Sequence, residues 1–199
     1  MMAAMALKLV IFDMDGTLLV QALDFDAIRQ AMGIPGPTPI LEAMNAMREP
    51  DRARLFAILD RFEAEAAARS ELMPGAREIL AWLRRRGIPS AVLTRNSRLS
   101  VDAAVRRHRL AFDAVVTREE HAPKPCPDGV HHLMALFDAG AAETVVVGDY
   151  RYDIEAGRAA GVRTIALLAQ PKPWAAEATW VAGTLEEVRT ILARLAEEP

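Results

Sequence analysis

Asp13 and Asp15 are separated by Met14 alone and followed by Gly16 and Thr17, directly after the apolar run Leu7-Lys8-Leu9-Val10-Ile11-Phe12. Two acids one residue apart point the same way only where the backbone is extended or turning, and at a strand's end both can face one pocket. Their charges oppose each other. At roughly 4 Å and an effective dielectric of about 20, two like unit charges repel by about 4 kcal/mol, so one acid stays protonated or a cation neutralises the pair. Read alone, Asp-x-Asp-Gly is equally a turn in which an aspartate caps a helix and Gly16 reverses the chain. The rest of the chain has to choose between these readings.

The surrounding elements place further polar groups at equivalent positions. After the first strand, Asp24 to Ser70 reads as helices only. Asp24 caps a helix to about Met32, stopped by Gly33 and Pro35. Thr38-Pro39 reads as a cap followed by proline in the first turn, and from Asp51 onward Leu55, Ile58, Leu59 and Phe62 share one face. Met73-Pro74-Gly75 closes the stretch. Helices and strands then alternate: a helix at Ala76 to Arg86, a strand Ser90 to Leu93, a helix to His108 and a strand at Ala114-Val115-Val116. They continue with a helix Pro127 to Phe137, the strand Thr144 to Val147, a helix Ile154 to Ala160 and the strand Arg163 to Leu167. Gln170 to Trp174 reads as a loop, and Leu185 to Leu195 as an amphipathic closing helix. Such alternation predicts an α/β fold, a doubly wound parallel sheet with both faces covered, and a small all-helical insertion after its first strand.

In an open parallel sheet, ligands gather outside the carboxyl ends of the strands. Asp13 and Asp15 stand at such an end, as do Thr94, Arg95 and Asn96 after a second strand and Asp149 and Asp153 after the Val-rich strand. Lys124 lies in the stiff loop Pro123-Lys124-Pro125-Cys126-Pro127.

Composition narrows the partners. The chain of 199 residues carries a net charge of −3 with both signs interspersed, which gives no reason to expect nucleic acid or a membrane surface. Arg84-Arg85-Arg86 reads as the solvated end of a helix. A single cysteine, Cys126, rules out an internal disulfide and suits a reducing, cytoplasmic location. Met1 to Ala6 reads as a ragged start, with no basic leader and too short an apolar run to span a membrane. Cys126 is expected to be a small buried side chain without nucleophilic duty. Of the histidines, His108, His131 and His132 read as surface or packing residues, and only His121 lies near Lys124.

Taken in order, Asp-Met-Asp-Gly-Thr, Leu-Thr-Arg-Asn, Lys-Pro-Cys-Pro and Gly-Asp-Tyr-Arg-Tyr-Asp resemble the four signature motifs of the haloacid dehalogenase superfamily, in particular its phosphoglycolate phosphatase-like branch. The resemblance covers nearly the whole chain. It implies a phosphatase that hydrolyses a small-molecule phosphate monoester with Mg2+ and an aspartyl-phosphate intermediate. By that resemblance Asp13 is the nucleophile, Asp15 the general acid and base, and Thr94 a donor to the phosphoryl oxygens. Lys124 would neutralise nucleophile and phosphate together, and Gly16, Thr17, Arg95 and Asn96 would contact substrate. Asp13, Asp149 and the backbone carbonyl of Asp15 would hold the metal, with Asp153 as outer ligand or as the holder of Lys124. Residues 1–19 and 72–199 would form the core and residues 20–71 a short helical cap. Arg29, Asn45 and Arg48 are the cap's candidate specificity residues, although a solvated face explains them as well. A phosphomutase of the same superfamily would keep every motif. A hydrolytic dehalogenase needs neither Asp15 nor magnesium, and a non-catalytic scaffold would have lost a motif acid or the lysine.

Overall fold

Strand β1 (Leu9–Phe12) is buried along its whole length and alternates strictly between two cores, as a strand covered on both faces must. The computed structural model describes residues 7–197, so the reading of Met1 to Ala6 lies outside the described residues. Val10 and Phe12 enter one cluster with Val92, Val145, Val147 and Ile165, against helices α4 (Ala76–Arg86), α5 (Arg98–His108) and α8 (Leu185–Glu197). Leu9 and Ile11 enter the other with Ala91, Leu93 and Val146, against α6 (Asp128–Leu136) and α7 (Arg151–Ala159). A sheet with helices on both faces results, as the alternation requires.

Six parallel strands run in the order β3-β2-β1-β4-β5-β6, with β2 at Ser90–Leu93, β3 at Ala114–Val116, β4 at Thr144–Gly148, β5 at Arg163–Leu167 and β6 at Trp180–Ala182. The winding reverses between β1 and β4. Loops leaving these two neighbours diverge and open a crevice at the carboxyl edge. Phe12 pairs with Val147, and the Asp13 amide donates to the Val147 carbonyl at 2.9 Å, which sets Asp13 beside the end of β4.

Between β1 and α4 the chain forms α1 (Phe25–Met32), α2 (Ile40–Asn45) and α3 (Asp51–Arg69). They share an apolar cluster of their own, built on Ile28, Met32, Ile34, Leu41, Met44, Leu55 and Leu59. Asp24 caps α1 as expected, its Oδ1 accepting from the Asp26 and Ala27 amides at 3.1 and 3.0 Å. Thr38 does not cap α2: Pro39 holds the cap position with no side-chain hydrogen bond there, because the proline itself fixes the extended backbone that a cap needs.

Other sequence expectations are corrected downstream. Helix α7 begins at Arg151, a turn earlier than the apolar pattern suggested, because Asp153 supplies the reach-back hydrogen bond to the Tyr150 amide at 3.0 Å. The Gln170 to Trp174 segment is not wholly loop, since a one-turn 3-10 helix spans Pro173–Glu177. Strand β6 was not anticipated; it is three residues long and lies at the sheet's edge, with Val181 exposed. Cys126 is half-buried rather than buried.

Candidate active site

The loop after β1 turns tightly. Leu18 and Leu19 amides return to the Met14 carbonyl and the Gly16 amide donates to the Leu19 carbonyl at 2.7 Å. Gly16 has φ +81°, and a Cβ there would sit 2.1 Å from Oδ2 of Asp149. Only glycine allows both the backbone turn and the approach of that carboxylate. Thr17 is fully buried, and its hydroxyl donates to Oδ1 of Asp149 at 3.3 Å. Gly16 and Thr17, expected to touch substrate, thus seat Asp149.

Lys124 lies at the centre of the cluster and is buried. Its Nζ donates to Oδ1 of Asp13 and to Oδ1 of Asp153, each at 2.5 Å. Oδ2 of Asp153 accepts from the Tyr150 amide, so both its oxygens are engaged. Asp13, Asp149 and Asp153 each present an oxygen within 4.8 Å of the others. These three carboxylates face one ammonium. Burial pushes Asp149 up to about 8 and Asp153 to about 6, with the repulsion of Asp13 adding to both, while Lys124 is held above its usual value by its two carboxylate partners despite its own burial.

Asp15 belongs to a different environment. Its carboxylate accepts from the Asn96 side-chain amide and stands outside the group of three. Burial raises it to about 6, against the pull of Asn96. Two acids one residue apart therefore differ in surroundings: Asp13 takes the lysine, Asp15 an amide. Thr94, buried at the end of β2, accepts the Asn96 amide on its Oγ1 at 3.2 Å. It does not cap α5, a task that Ser97 performs by accepting from the Ser100 amide at 3.3 Å.

Arg95 reaches across the mouth. Its Nη1 donates to the Lys124 carbonyl, its guanidinium carbon lies 4.7 Å from the centre of the Tyr152 ring, and its Nη2 contacts both carboxylate oxygens of Glu42 on α2 at 2.9 and 2.8 Å. Beneath it, Glu63 of α3 is buried, with Oε2 accepting from the Ser97 amide and hydroxyl at 3.0 and 2.6 Å and Oε1 from Arg118. Glu42, Glu63, Arg118 and Tyr152 escaped the sequence reading. A signal existed for Glu63: it continues the Leu55, Leu59 stripe at a spacing of four, so a charge falls on a buried helix face.

The remaining candidates stay out of the cluster. Arg29 pairs with Asp26 at 2.5 Å, and Asn45 and Arg48 are exposed. His121 stacks with His132 at 4.4 Å between ring centres, and Nε2 of His108 lies 2.9 Å from the Ser70 hydroxyl.

Residues 7–161, which carry all of these groups, match the family model of the haloacid dehalogenase-like hydrolases. The chain belongs to that family. It is 33% identical over 168 residues to an uncharacterized hydrolase of Saccharomyces cerevisiae, covering 81% of this chain and 77% of the yeast protein. It is 31% identical over 190 residues to an N-acetylmuramic acid 6-phosphate phosphatase of Pseudomonas aeruginosa, with 83% and 84% of the two chains covered. With a phosphoglycolate phosphatase of Pseudomonas syringae pv. tomato it shares 28% identity over 187 residues, 80% of this chain and 69% of the other. A solved hydrolase structure from Pseudomonas syringae superposes with a TM-score of 0.81 at 19% identity, over 96% of this chain and all of that one. The protein is a hydrolase of this family on a Rossmann-like fold. No helix among the described residues is long and apolar enough to cross a membrane.

Proposed function

We propose that this hydrolase is a phosphatase acting on phosphate monoesters of small metabolites, with Asp13 attacking phosphorus and Asp15 serving as general acid and then base. The observation that carries this reading is the split between two neighbouring carboxylates: Asp13 is paired with Lys124, whereas Asp15 is bonded to Asn96 and raised to about 6. An acid/base group works best with a pKa near the operating pH, while a nucleophile has to stay ionised. Lys124 pairs with Asp13 at 2.5 Å and offers a positive partner to an incoming phosphoryl group. Asp15 gives its proton to the leaving alkoxide as the aspartyl phosphate forms, then takes one from the water that hydrolyses it. Thr94 supplies a hydroxyl to the phosphoryl oxygens. The named phosphatase relatives support the reaction class; phosphoglycolate and N-acetylmuramic acid 6-phosphate are both phosphate monoesters.

The donor set fits Mg2+. Asp13, Asp149 and Asp153 form an all-oxygen cluster carrying more negative charge than Lys124 cancels, and Gly16 leaves room where a Cβ would collide with Asp149. Asp13 and Asp149 would hold the ion, with Asp153 positioning Lys124. When bound, the ion neutralises charge developing on the phosphoryl oxygens. Residues 20–71 are read as a cap whose helices shield the site from water, over a core of 1–19 and 72–199.

Purified protein with Mg2+ is expected to release phosphate from p-nitrophenyl phosphate, and borohydride reduction during turnover to label Asp13. Chelation should stop turnover while the far-ultraviolet dichroism stays unchanged. An inactive wild type, an Asp13→Asn variant as active as wild type, or turnover that survives chelation would overturn the corresponding part of the reading.

A further inference from the structure

We infer that Arg95 is a carboxylate receptor at the mouth of the site and that Glu42 is its internal occupant, so that the preferred substrates carry a carboxylate beside the phosphate ester. The inference rests on the phosphatase reading above and names its substrate class. Arg95 lies between Thr94 and Asn96, and its Nη1 is tied to the backbone carbonyl of Lys124, whose Nζ bonds Asp13. The guanidinium is therefore one residue's reach from the reacting groups, and it also rests over the Tyr152 ring, a contact separate from the one to Glu42. It is pre-organised for an anion.

Glu42 holds that place loosely. A single nitrogen, Nη2, spans both carboxylate oxygens, in contrast to the parallel pairing of two nitrogens with two oxygens that makes arginine–carboxylate contacts strong. The glutamate side chain is 45% exposed and the arginine 21%, so water screens the pair and a competing carboxylate can reach it. Glu42 sits on α2, the helix that contributes Leu41 and Met44 to the separate apolar cluster of α1 to α3, so its exchange for a substrate carboxylate needs no core rearrangement. An empty receptor of this kind would also attract inorganic anions; an internal carboxylate sets a threshold that only a ligand anchored by its phosphate exceeds.

The test uses matched pairs that differ only in carboxylate against hydroxymethyl: 2-phosphoglycolate with 2-hydroxyethyl phosphate, and 3-phosphoglycerate with glycerol 3-phosphate. Glu42→Gln removes a negative charge that repels every phosphate ester, so only the ratio within a pair reports on the receptor. In Glu42→Gln the KM ratio of carboxylate member to neutral member is expected to fall about fivefold, the change that release of a half-exposed pair supports. In Arg95→Gln the ratio is expected to rise about tenfold. Equal shifts for both members of each pair would make the contact a simple tie between α2 and the loop after β2 and overturn the inference. Calorimetric titration of 2-phosphoglycolate and 2-hydroxyethyl phosphate into Asp13→Asn, with and without Glu42→Gln, reads the same ratio without turnover. Carboxylate preference there, gained with Glu42→Gln, supports the receptor even if p-nitrophenyl phosphate is not hydrolysed, which alone would fault the phosphatase reading; absence of preference overturns the receptor even in an active enzyme.

Discussion

Around Lys124, two carboxylates share one ammonium and a third, Asp149, stands close by without a direct bond to it; around Glu63, one carboxylate is met by the Arg118 guanidinium and by both donors of Ser97. The first is partly and the second largely buried, and both join segments far apart in the chain. Only the first is left with uncompensated charge. Its acids Asp149 and Asp153 are pushed far above the ordinary carboxylate range, which a protein tolerates where a ligand will supply the missing positive charge. In the second, both carboxylate oxygens of Glu63 meet a donor, and the outcome is a fixed junction between α3 and the start of α5. Unbalanced burial marks a place for chemistry, whereas balanced burial marks a joint.

The contrast can be broken by exchanging roles. Lys124→Met removes the cation of the unbalanced cluster, and phosphate release is expected to fall by about a thousandfold or more, since nucleophile and phosphate lose their shared partner. If kcat/KM stays within about tenfold of wild type, the lysine only fills space. Glu63→Ala leaves buried Arg118 with Asp60 as its carboxylate partner and Ser97 without its acceptor, and should cost about 3 kcal/mol in a denaturant midpoint assay, while kcat in the folded fraction changes only a few-fold. A larger loss of kcat than of stability would move Glu63 from joint to active site.

The pH dependence sharpens the same point. Asp149 and Asp153 rise from 3.8 to about 8 and about 6, and Asp15 to about 6, so between pH 4 and 8 the folded metal-free chain binds more protons than the unfolded one. Stability then falls as pH rises through that window, the reverse of a salt-bridged aspartate. Thermal unfolding without metal should show Tm declining from pH 5 to 8, and Mg2+ should restore it most at pH 8; a Tm rising with pH in the absence of metal would contradict the burial assigned to these acids. At the small end, Arg189→Ala breaks only the exposed pair with Glu186 on α8 and should leave the denaturant midpoint indistinguishable from wild type.

Much of this was legible in the chain. Helix α4 and strands β2, β3 and β5 begin and end where glycine, proline and apolar runs said they would, because each carries an apolar pattern bounded by clear breakers. Strand β6 was not, since three residues at a sheet edge carry too little pattern to distinguish them from a loop. Among the candidate site residues, Asp13, Asp15, Thr94 and Asp149 stood out by type and by position after strands, and Lys124 by its proline-framed loop. Gly16 and Thr17 were visible, but their part in seating Asp149 was not: one residue's Cβ distance and one hydroxyl's direction decide it.

By itself the sequence determined the alternating α/β order, the acids at strand ends and the family, because these follow from local periodicity and from residue types in order. Which acid meets the lysine, which is left to Asn96, and which arginine stands at the mouth with Glu42 against it were decided only by tertiary structure. Those contacts join residues 81, 111 and 53 positions apart, and their directions depend on how β1, β2 and β4 are registered and how the α1 to α3 helices sit above them. Local pattern carries no information about such angles; packing does.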